Sequence, residues 1–247
     1  MPFQPIERRS VPEDVFEQIV EGVLSGDLPA GQSLPSEREL ARVLGVSRPA
    51  VREALKRVAA AGLVSIRQGD GTVVRDVRRF GGLDLLPRLL IRKGELDVSV
   101  ARSVIEARAH IGPKVAELAA LRASGDQITA LNDAVIELAD LTDPIAQQVV
   151  ALDFWDALVD GADSIAFRLM YNTMRAAYEP ALPALAGALS AEVGNSDGYR
   201  AIVDAVSRHD PNGAARAAAV LLEPATTTLL SAFTEMEDLL REDPDGD

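Results

Sequence analysis

The sequence contains no cysteine, and this absence excludes disulfide bonds and thiolate metal sites and fits a reducing cytoplasm. Although 47% of the 247 residues are hydrophobic, we find no long apolar run, so we expect a soluble globular chain without a membrane partner. The first residues, MPFQPIERRSVPED, lack the apolar core of a secretory signal. We therefore expect a cytoplasmic protein.

The usual features of an enzyme active site are missing as well. No serine stands in a strained, glycine-flanked elbow, and the absence of cysteine removes another common nucleophile. No glycine-rich phosphate loop follows a strand, because the segment 69–71 is too short to form one. We therefore expect no catalytic residues.

The net charge of −13 is distributed unevenly along the chain. Residues 1–80 contain 12 Lys and Arg against 11 Asp and Glu, whereas the remaining residues contain 13 against 27. The acidic excess therefore lies outside the first 80 residues, where it would sit away from a polyanionic partner. The charge balance is compatible with a nucleic-acid interface in the first part of the chain.

The segment 34–57, LPSERELARVLGVSRPAVREALKR, is typical of two short helices joined by a tight turn. Ser36 and Glu39 have the spacing of a capping box that opens the first helix, and Gly45 suits the positive φ of a turn. Ser47 can cap the second helix, with Pro49 in its first turn. The first helix is expected to bury the face that carries Leu40, Val43 and Leu44.

The second helix of this segment has two different faces. Its apolar residues recur at the spacing of a buried stripe, at Val51, Leu55 and Val58. Its basic residues recur every fourth position on another face, at Arg48, Arg52 and Lys56. A helix-turn-helix with an exposed basic face is typical of DNA binding, so we expect double-stranded DNA as the partner.

A further helix and a β-hairpin flank this motif. The pattern of residues 12–25 predicts an amphipathic helix that begins with acidic residues. After Gly62 the apolar residues alternate, which predicts strands at 63–67 and 72–75 with a turn between them. Three helices followed by a two-stranded hairpin make a winged helix-turn-helix.

From residue 83 onward the pattern is almost entirely helical. The expected helices cover about 83–93, 97–123, 126–141, 144–161, 164–188, 197–208 and 212–240, with kinks or breaks at Pro113, Pro180, Pro183 and Pro224. The predicted fold is therefore mostly α, with the winged helix-turn-helix followed by an antiparallel all-α bundle of six or seven helices. The predicted boundaries are 1–75 for the first domain, 76–82 for a linker, 83–240 for the helical domain and 241–247 for an acidic disordered tail.

Four short motifs carry a resemblance to a known family: GQSLPSERELA at 31–41, GVSR at 45–48, VREAL at 51–55 and GLV at 62–64. They resemble the GntR family of bacterial transcription regulators, in particular its FadR-like branch with an all-helical FCD-type effector domain. Over 83–240 the likeness is looser and rests on helix order and on the segments 106–108, 152–154 and 169–174.

The resemblance implies a homodimer that binds a palindromic operator and changes its DNA affinity, most often as a repressor, when a small metabolite enters the helical domain. The matching positions imply that Arg38, Arg48 and Arg52 are the principal DNA contacts, with Gln68 and Gly69 at the tip of the wing near the minor groove. An arginine suits either a guanine edge or a phosphate, and the sequence leaves both open. Lys56, Arg57 and Arg67 are equally well explained by surface ion pairs, for example between Glu53 and Arg57.

Many relatives of the FCD type bind a divalent metal through one aspartate and three histidines, but this chain has only His110 and His209. If Trp155 is aligned with the first family histidine, Ala151 stands at the position of the aspartate. If Asp153 is taken as the aspartate instead, Ala157 stands at the position of the histidine, so both registers lose the imidazole ligands. We therefore expect no metal and no cofactor.

The loss of these ligands, together with a group of aromatic and methionine residues, indicates a more apolar effector cavity. That group comprises Phe154, Trp155, Phe167, Met170, Tyr171, Met174 and Tyr178. The FadR-like resemblance makes a fatty acyl thioester (acyl-CoA), a fatty acid or another lipid-derived acid the first candidate ligand. Arg108 would pair with its carboxylate or phosphate, and Asn172 or Tyr199 would donate further hydrogen bonds. The ligand-binding prediction thus comprises Arg108, Trp155, Tyr171, Asn172 and Tyr199.

Two alternatives stay open at this point. The helical part could belong to a small-molecule carrier or enzyme whose first domain does not bind DNA. The same type of regulator could also sense a small carboxylate or a sugar acid. The aromatic residues could equally form an ordinary helical core, since most such residues do.

Overall fold

The computed structural model describes residues 11–67, 71–92 and 94–242. The chain forms two compact units, Met1–Leu85 and Leu86–Asp247. The sequence predicted the start of the helical domain at residue 83. Of the predicted wing-tip and tail residues, Gln68, Gly69 and 243–247 lie outside the described residues.

The first unit contains three helices, a hairpin and a final helical turn, and confirms the predicted winged helix-turn-helix. These elements are α1 (Val11–Ser25), α2 (Glu37–Leu44), α3 (Arg48–Ala60), β1 (Val64–Arg67), β2 (Gly71–Val74) and α4 (Val77–Phe80). The strands are antiparallel, with Val64 opposite Val74 and Ile66 opposite Thr72. The connector before α2 joins the sheet, because the Leu34 amide donates to the Thr72 carbonyl at 2.8 Å.

The turn between α2 and α3 follows from local sequence. The Ser36 side chain accepts from the Glu39 amide and the Ser47 side chain from the Ala50 amide, while Gly45 has a φ of 66°. The capping box is only half formed, because the Glu39 carboxylate pairs with Arg42 at 2.6 Å. These caps fix where α3 begins.

The apolar stripe of α3 is buried as predicted, with Val51, Leu55 and Val58 at most 2% exposed. This stripe packs α3 against α1. The prediction for α2 was wrong at Val43, which is 64% exposed, because this short helix buries a narrow face centred on Ala41. Burial in this unit therefore depends mainly on α1 and α3.

The second unit contains seven long helices within the described residues, which confirms the predicted all-α part. They are α6 (Val98–Arg122), α7 (Gly125–Asp140), α8 (Pro144–Gly161), α9 (Ile165–Tyr178), α10 (Leu182–Val193), α11 (Ser196–Ser207) and α12 (Pro211–Glu242). The short helix α5 (Leu86–Leu90) and a small hairpin, β3 (Ile91–Arg92) with β4 (Glu95–Leu96), precede them. Helices α6 and α12 pack along each other, and α7, α8, α10 and α11 complete the core around them.

One predicted helix in this region was wrong, and a second is interrupted at the prolines where the sequence predicted a kink or break. The segment 83–93 divides into a 3-10 turn at Leu83–Leu85, helix α5 and strand β3, and the segment 164–188 divides into α9 and α10. The second break lies at the 3-10 turn Glu179–Ala181, beside Pro180 and Pro183, where proline removes amide donors. In contrast, α6 continues through Pro113 and α12 through Pro224.

Helix α12 bears on the expectation that the chain has no membrane-spanning run. Over Pro211–Asp238 this helix is long and apolar enough to cross a membrane by length and composition, with a mean hydropathy of 1.2. It packs along α6 and α11 and buries Ala218, Leu221 and Ala225. The prediction that the chain has no long apolar run is therefore not confirmed for this helix. The core helix of a soluble protein can pass the same test of length and composition.

In the first unit, the backbone at Phe80 approaches Gly62 so closely that a side chain at this position would clash. Gly62 and Gly45 both have a positive φ, of 78° and 66°. A Cβ on Gly62 would lie 2.1 Å from the Phe80 carbonyl oxygen, whereas a Cβ on Gly45 would meet no atom within 4 Å. Gly62→Ala therefore combines backbone strain with a clash, and Gly45→Ala brings strain alone.

We expect Gly45→Ala to destabilise the first unit by about 1 kcal/mol and Gly62→Ala by more than about 2 kcal/mol. Hydrogen exchange of the α3 amides measures this difference in opening free energy directly. The Trp155 fluorescence serves as a control for the second unit, since this residue is the only tryptophan of the chain. Equal exchange rates in the two variants would contradict the proposed importance of the contact with Phe80.

Candidate nucleic-acid interface and ligand cavity

The outward face of α3 carries three exposed cationic side chains, those of Arg48, Arg52 and Lys56. They stand one helical turn apart on a face centred about a quarter turn from the buried stripe. Arg38 is exposed on the neighbouring helix α2. The structure thus brings the predicted arginines to the surface of the helix-turn-helix, free of the core.

Arg52 is held by a carboxylate at the start of α2. Its Nη2 donates to Glu37 Oε2 at 2.7 Å, and its Nε donates to Oε1 at 3.0 Å and also lies 3.1 Å from Oε2. The hydrogen bond from Arg52 lowers the pKa of Glu37, and the charges of Arg48 and Lys56 act in the same direction. Glu37 therefore lies within the electrostatic field of the whole basic face, a feature that the sequence analysis missed.

Arg57 has a structural role on a different side of α3. Its guanidinium pairs with Glu13 of α1 at 2.6 Å and lies over the ring of Phe16, 4.4 Å from the centroid. The predicted partner was Glu53, on the same helix. The observed pair instead joins α3 to α1, so Arg57 helps to orient the basic face.

The second unit contains a partly open cavity of about 130 Å³ between α6, α8, α9, α10 and α12. Most of its wall is apolar, for example at Ile111, Val115, Ala151, Leu189 and Leu222. An apolar cavity of this size is typical of a site for a small hydrophobic group.

The predicted ligand-binding residues do not all reach this cavity. Arg108, Trp155 and Tyr171 line it, and Tyr199 lies fully buried in the core, in edge contact with Phe154 beside Trp155. Asn172 is exposed and is not part of the wall. It follows Tyr171 on α9, and the rotation of about 100° per residue carries its side chain past the cavity wall to the exposed side of the helix.

The sequence analysis missed the partner of Arg108. In the cavity wall, Arg108 Nη2 donates to Glu192 Oε1, and the Glu192 side chain is only 2% exposed. Burial raises the pKa of Glu192, and the charge of Arg108 opposes this shift. Glu192 is the only charged residue of α10, LPALAGALSAEV. A single carboxylate on an otherwise apolar helix is the sequence feature that could have indicated a buried ion pair.

The other polar groups of the wall differ in how well they are satisfied. Gln148 donates to the Leu182 carbonyl at 3.2 Å and accepts from the Tyr178 hydroxyl at 2.6 Å. Tyr171 donates to the Leu152 carbonyl. Among the described residues, buried atoms without a hydrogen-bond partner include Arg108 Nη1, Glu192 Oε2, Trp155 Nε1 and the Tyr199 hydroxyl. The last three lie close enough together to influence the pKa of Tyr199 or Glu192.

These residues do not fit a metal site of the type found in related effector domains. Ala151 and Trp155, the two positions aligned with an aspartate and a histidine, supply a methyl group and an indole to the wall. His110 is exposed, and His209 Nδ1 lies 2.9 Å from the Ala120 carbonyl oxygen. In the described part of the chain no three His, Cys, Asp or Glu side chains are grouped closely enough to hold a metal ion.

Comparison with known proteins accounts for both units. The sequence profile of bacterial regulatory proteins of the gntR family matches residues 12–74, and that of the FCD domain matches residues 103–224. The HTH-type transcriptional regulator Mce2R of Mycobacterium tuberculosis is 58% identical over 233 residues, which cover 94% of this chain and 97% of that protein. A fatty acid metabolism regulator protein of Vibrio cholerae is 36% identical over 95 residues, covering only 38% of this chain and 34% of that protein.

Among solved structures, the Listeria monocytogenes protein Lar has a TM-score of 0.56 at 16% identity, and the match covers 92% of this chain and 99% of Lar. At this identity the likeness concerns the fold alone. The family assignment rests on the two profiles and on the match to Mce2R, which spans nearly the whole of both chains. The chain therefore belongs to the GntR family of transcription regulators, in the FadR-like branch with an FCD effector domain, and it is not an enzyme.

Proposed function

We propose that the chain acts in the cytoplasm as a homodimer that binds a palindromic operator and responds to a small metabolite in the helical unit. The observation that carries the DNA-binding part is the exposed basic face of α3, which the buried stripe of the same helix keeps outward. The cavity supports the metabolite-binding part.

In this proposal Arg48 and Arg52 enter the major groove, and Arg38 contacts the operator from α2. A guanidinium can donate two hydrogen bonds to a guanine edge or to a phosphate, which suits either type of contact. Gln68 and Gly69 would approach the minor groove from the wing. Repression is the expected mode, because a bound dimer excludes other proteins from the operator.

The ion pair with Glu37 adds a constraint on Arg52. A base edge or a phosphate must compete with a carboxylate that already holds two donors of this guanidinium. Because both side chains are partly exposed, opening such a pair costs little free energy in water. Glu37 would thus weaken contacts with any phosphate and leave the best base contacts favoured.

The homodimer follows from the size of a single DNA-binding unit. One recognition helix contacts only a half-site, and two-fold symmetry of the protein matches a palindrome. The metabolite must bind more tightly to one arrangement of the dimer than to the other, since equal affinity would shift nothing. A lipid-derived molecule is the first candidate, because the cavity is apolar and a partial relative is named a fatty acid metabolism regulator.

We expect Arg48→Ala and Arg52→Ala each to weaken operator binding by roughly tenfold to a hundredfold, as loss of a bidentate base contact does. Fluorescence anisotropy with an operator selected from random duplexes by the wild-type protein measures the change. Arg42→Ala is the matched control, because Arg42 is an exposed arginine of α2 that pairs with Glu39. Full affinity in the Arg48 and Arg52 variants, or an equal loss in the control, would contradict the assignment.

We expect Glu37→Gln to strengthen binding to unrelated duplex DNA, since the substitution removes an anion from the centre of the basic face. The slope of log affinity against log salt should steepen by about 0.9 if Arg52 gains one phosphate contact. Glu39→Gln neutralises a carboxylate on the same helix that faces Arg42 instead, and it should leave the slope unchanged. An unchanged slope in Glu37→Gln would show that this pair does not limit phosphate contacts.

We expect the purified protein to sediment at twice the chain mass at micromolar concentration. Sedimentation equilibrium of the full chain, with and without operator, tests this expectation. A monomer that stays monomeric on the operator would contradict the symmetric mode of binding.

A further inference from the structure

We propose that the ligand of the helical unit carries an uncharged head group that both donates and accepts hydrogen bonds, such as a primary amide or an alcohol, on a short apolar body. This inference rests on the proposed effector function of the cavity and names its ligand class. It replaces the carboxylic acid that the sequence suggested as a partner for Arg108.

The size and the wall of the cavity define the apolar body. The cavity of about 130 Å³ is lined mainly by aliphatic and aromatic side chains. Apolar cavities of comparable size hold one small ring or chain of about six carbon atoms. The body of the ligand is therefore a group of this size, or the end of a longer chain.

The unsatisfied polar atoms define the position of the head group. Gln148, Tyr171 and Tyr178 already use their side chains in hydrogen bonds within the protein. Among the residues of the wall, the atoms without a partner are the donors Arg108 Nη1 and Trp155 Nε1 and the acceptor Glu192 Oε2. Buried polar groups are normally paired, so a ligand that supplies both kinds of partner gains binding free energy here.

The charge of the site excludes an anionic head group. Glu192 already neutralises Arg108, and a second carboxylate would place two anions beside one cation in a poorly solvated site. Arg175 also lines the cavity, but Asp153 and Glu179 hold it at 2.9 and 2.7 Å. An acid could enter only together with a proton.

The remaining groups around Glu192 do not change this balance. The titratable groups that face it are Arg108 from α6, Tyr178 from α9 and Tyr199 from α11, and burial raises the pKa of both tyrosines. Helix α8 contributes Trp155, and α12 contributes apolar side chains, none of which titrates. In this part of the described wall, the guanidinium of Arg108 therefore has the Glu192 carboxyl as its partner.

Three probes of equal length and different head group test the proposal: hexanamide, 1-hexanol and hexanoate. Trp155 lines the cavity and is the only tryptophan, so its fluorescence reports binding in the full-length protein. At about pH 7.5 we expect hexanamide and 1-hexanol to bind the wild-type protein at least tenfold more tightly than hexanoate. Equal or tighter binding of hexanoate, or binding of none of the three probes, would overturn the proposal.

Glu192→Gln leaves the cavity almost unchanged in shape and removes the internal anion. In this variant we expect the order to reverse, with hexanoate gaining at least tenfold, because Arg108 is then uncompensated. Glu223→Gln is the control, since Glu223 is an exposed carboxylate of α12 outside the wall, and it should keep the wild-type order. An unchanged order in a folded Glu192→Gln protein would contradict the role of the pair.

A pH series on the wild-type protein gives the same information if Glu192→Gln does not fold. From about pH 8 to about pH 5.5, hexanoate should bind progressively more tightly because it takes up a proton, while hexanamide should not change. Binding of hexanoate whose affinity does not change with pH would overturn the proposal.

Operator affinity at saturating hexanamide separates the two proposals. A probe that binds as expected but leaves operator affinity unchanged would argue against the effector function and not against the head-group preference. If operator binding responds to the probes but the head-group preference is absent, the head-group proposal is contradicted and the effector function is kept.

Discussion

Burial of one side of α3 against α1 is the interaction on which the DNA-binding unit depends. Val51, Leu55 and Val58 lose nearly all their exposure, and each such side chain contributes roughly 1.5–3 kcal/mol. Because the helix has a fixed period of 3.6 residues, burying this stripe places Arg48 and Arg52 on an exposed flank of α3. The pair of Arg57 with Glu13 acts on the same contact between helices, so packing and charge agree on one orientation of the basic face.

The features that the sequence predicted are those set by neighbours in the chain. Caps at Ser36 and Ser47 and the turn at Gly45 depend on residues within three or four positions, and all were found where expected. The errors have a different origin. Val43 is exposed because the rest of the unit covers only a narrow face of α2. Asn172 faces outward because the orientation of α9 directs the neighbouring Tyr171 toward the cavity. No local pattern contains that information.

Glu192 was missed for the same reason, since its partner Arg108 lies 84 residues away in the chain. A carboxylate at this point changes the chemistry of the site more than any of the aromatic residues does. Aromatic and methionine side chains were recognised as wall or core material from composition alone. The net charge of the wall could be determined only from the fold. Glu192, which is distant from Arg108 in the sequence, neutralises that arginine, so the wall no longer presents an unpaired cation to an anionic ligand.

The two arginines on which the proposals rest, Arg52 and Arg108, are both paired with a glutamate, and the surroundings give the two pairs opposite consequences. The Arg52 and Glu37 side chains are 54% and 31% exposed, so water replaces either partner readily and a nucleic acid can exchange with Glu37. The Arg108 and Glu192 side chains are 23% and 2% exposed, and separating them would leave charge without solvent. An exposed pair is therefore displaced by its ligand, whereas a buried pair must be accommodated by it. A molecule that satisfies the free atoms of the buried pair stabilises the helical unit in proportion to the logarithm of its concentration over its Kd, and this is the free energy available for regulation.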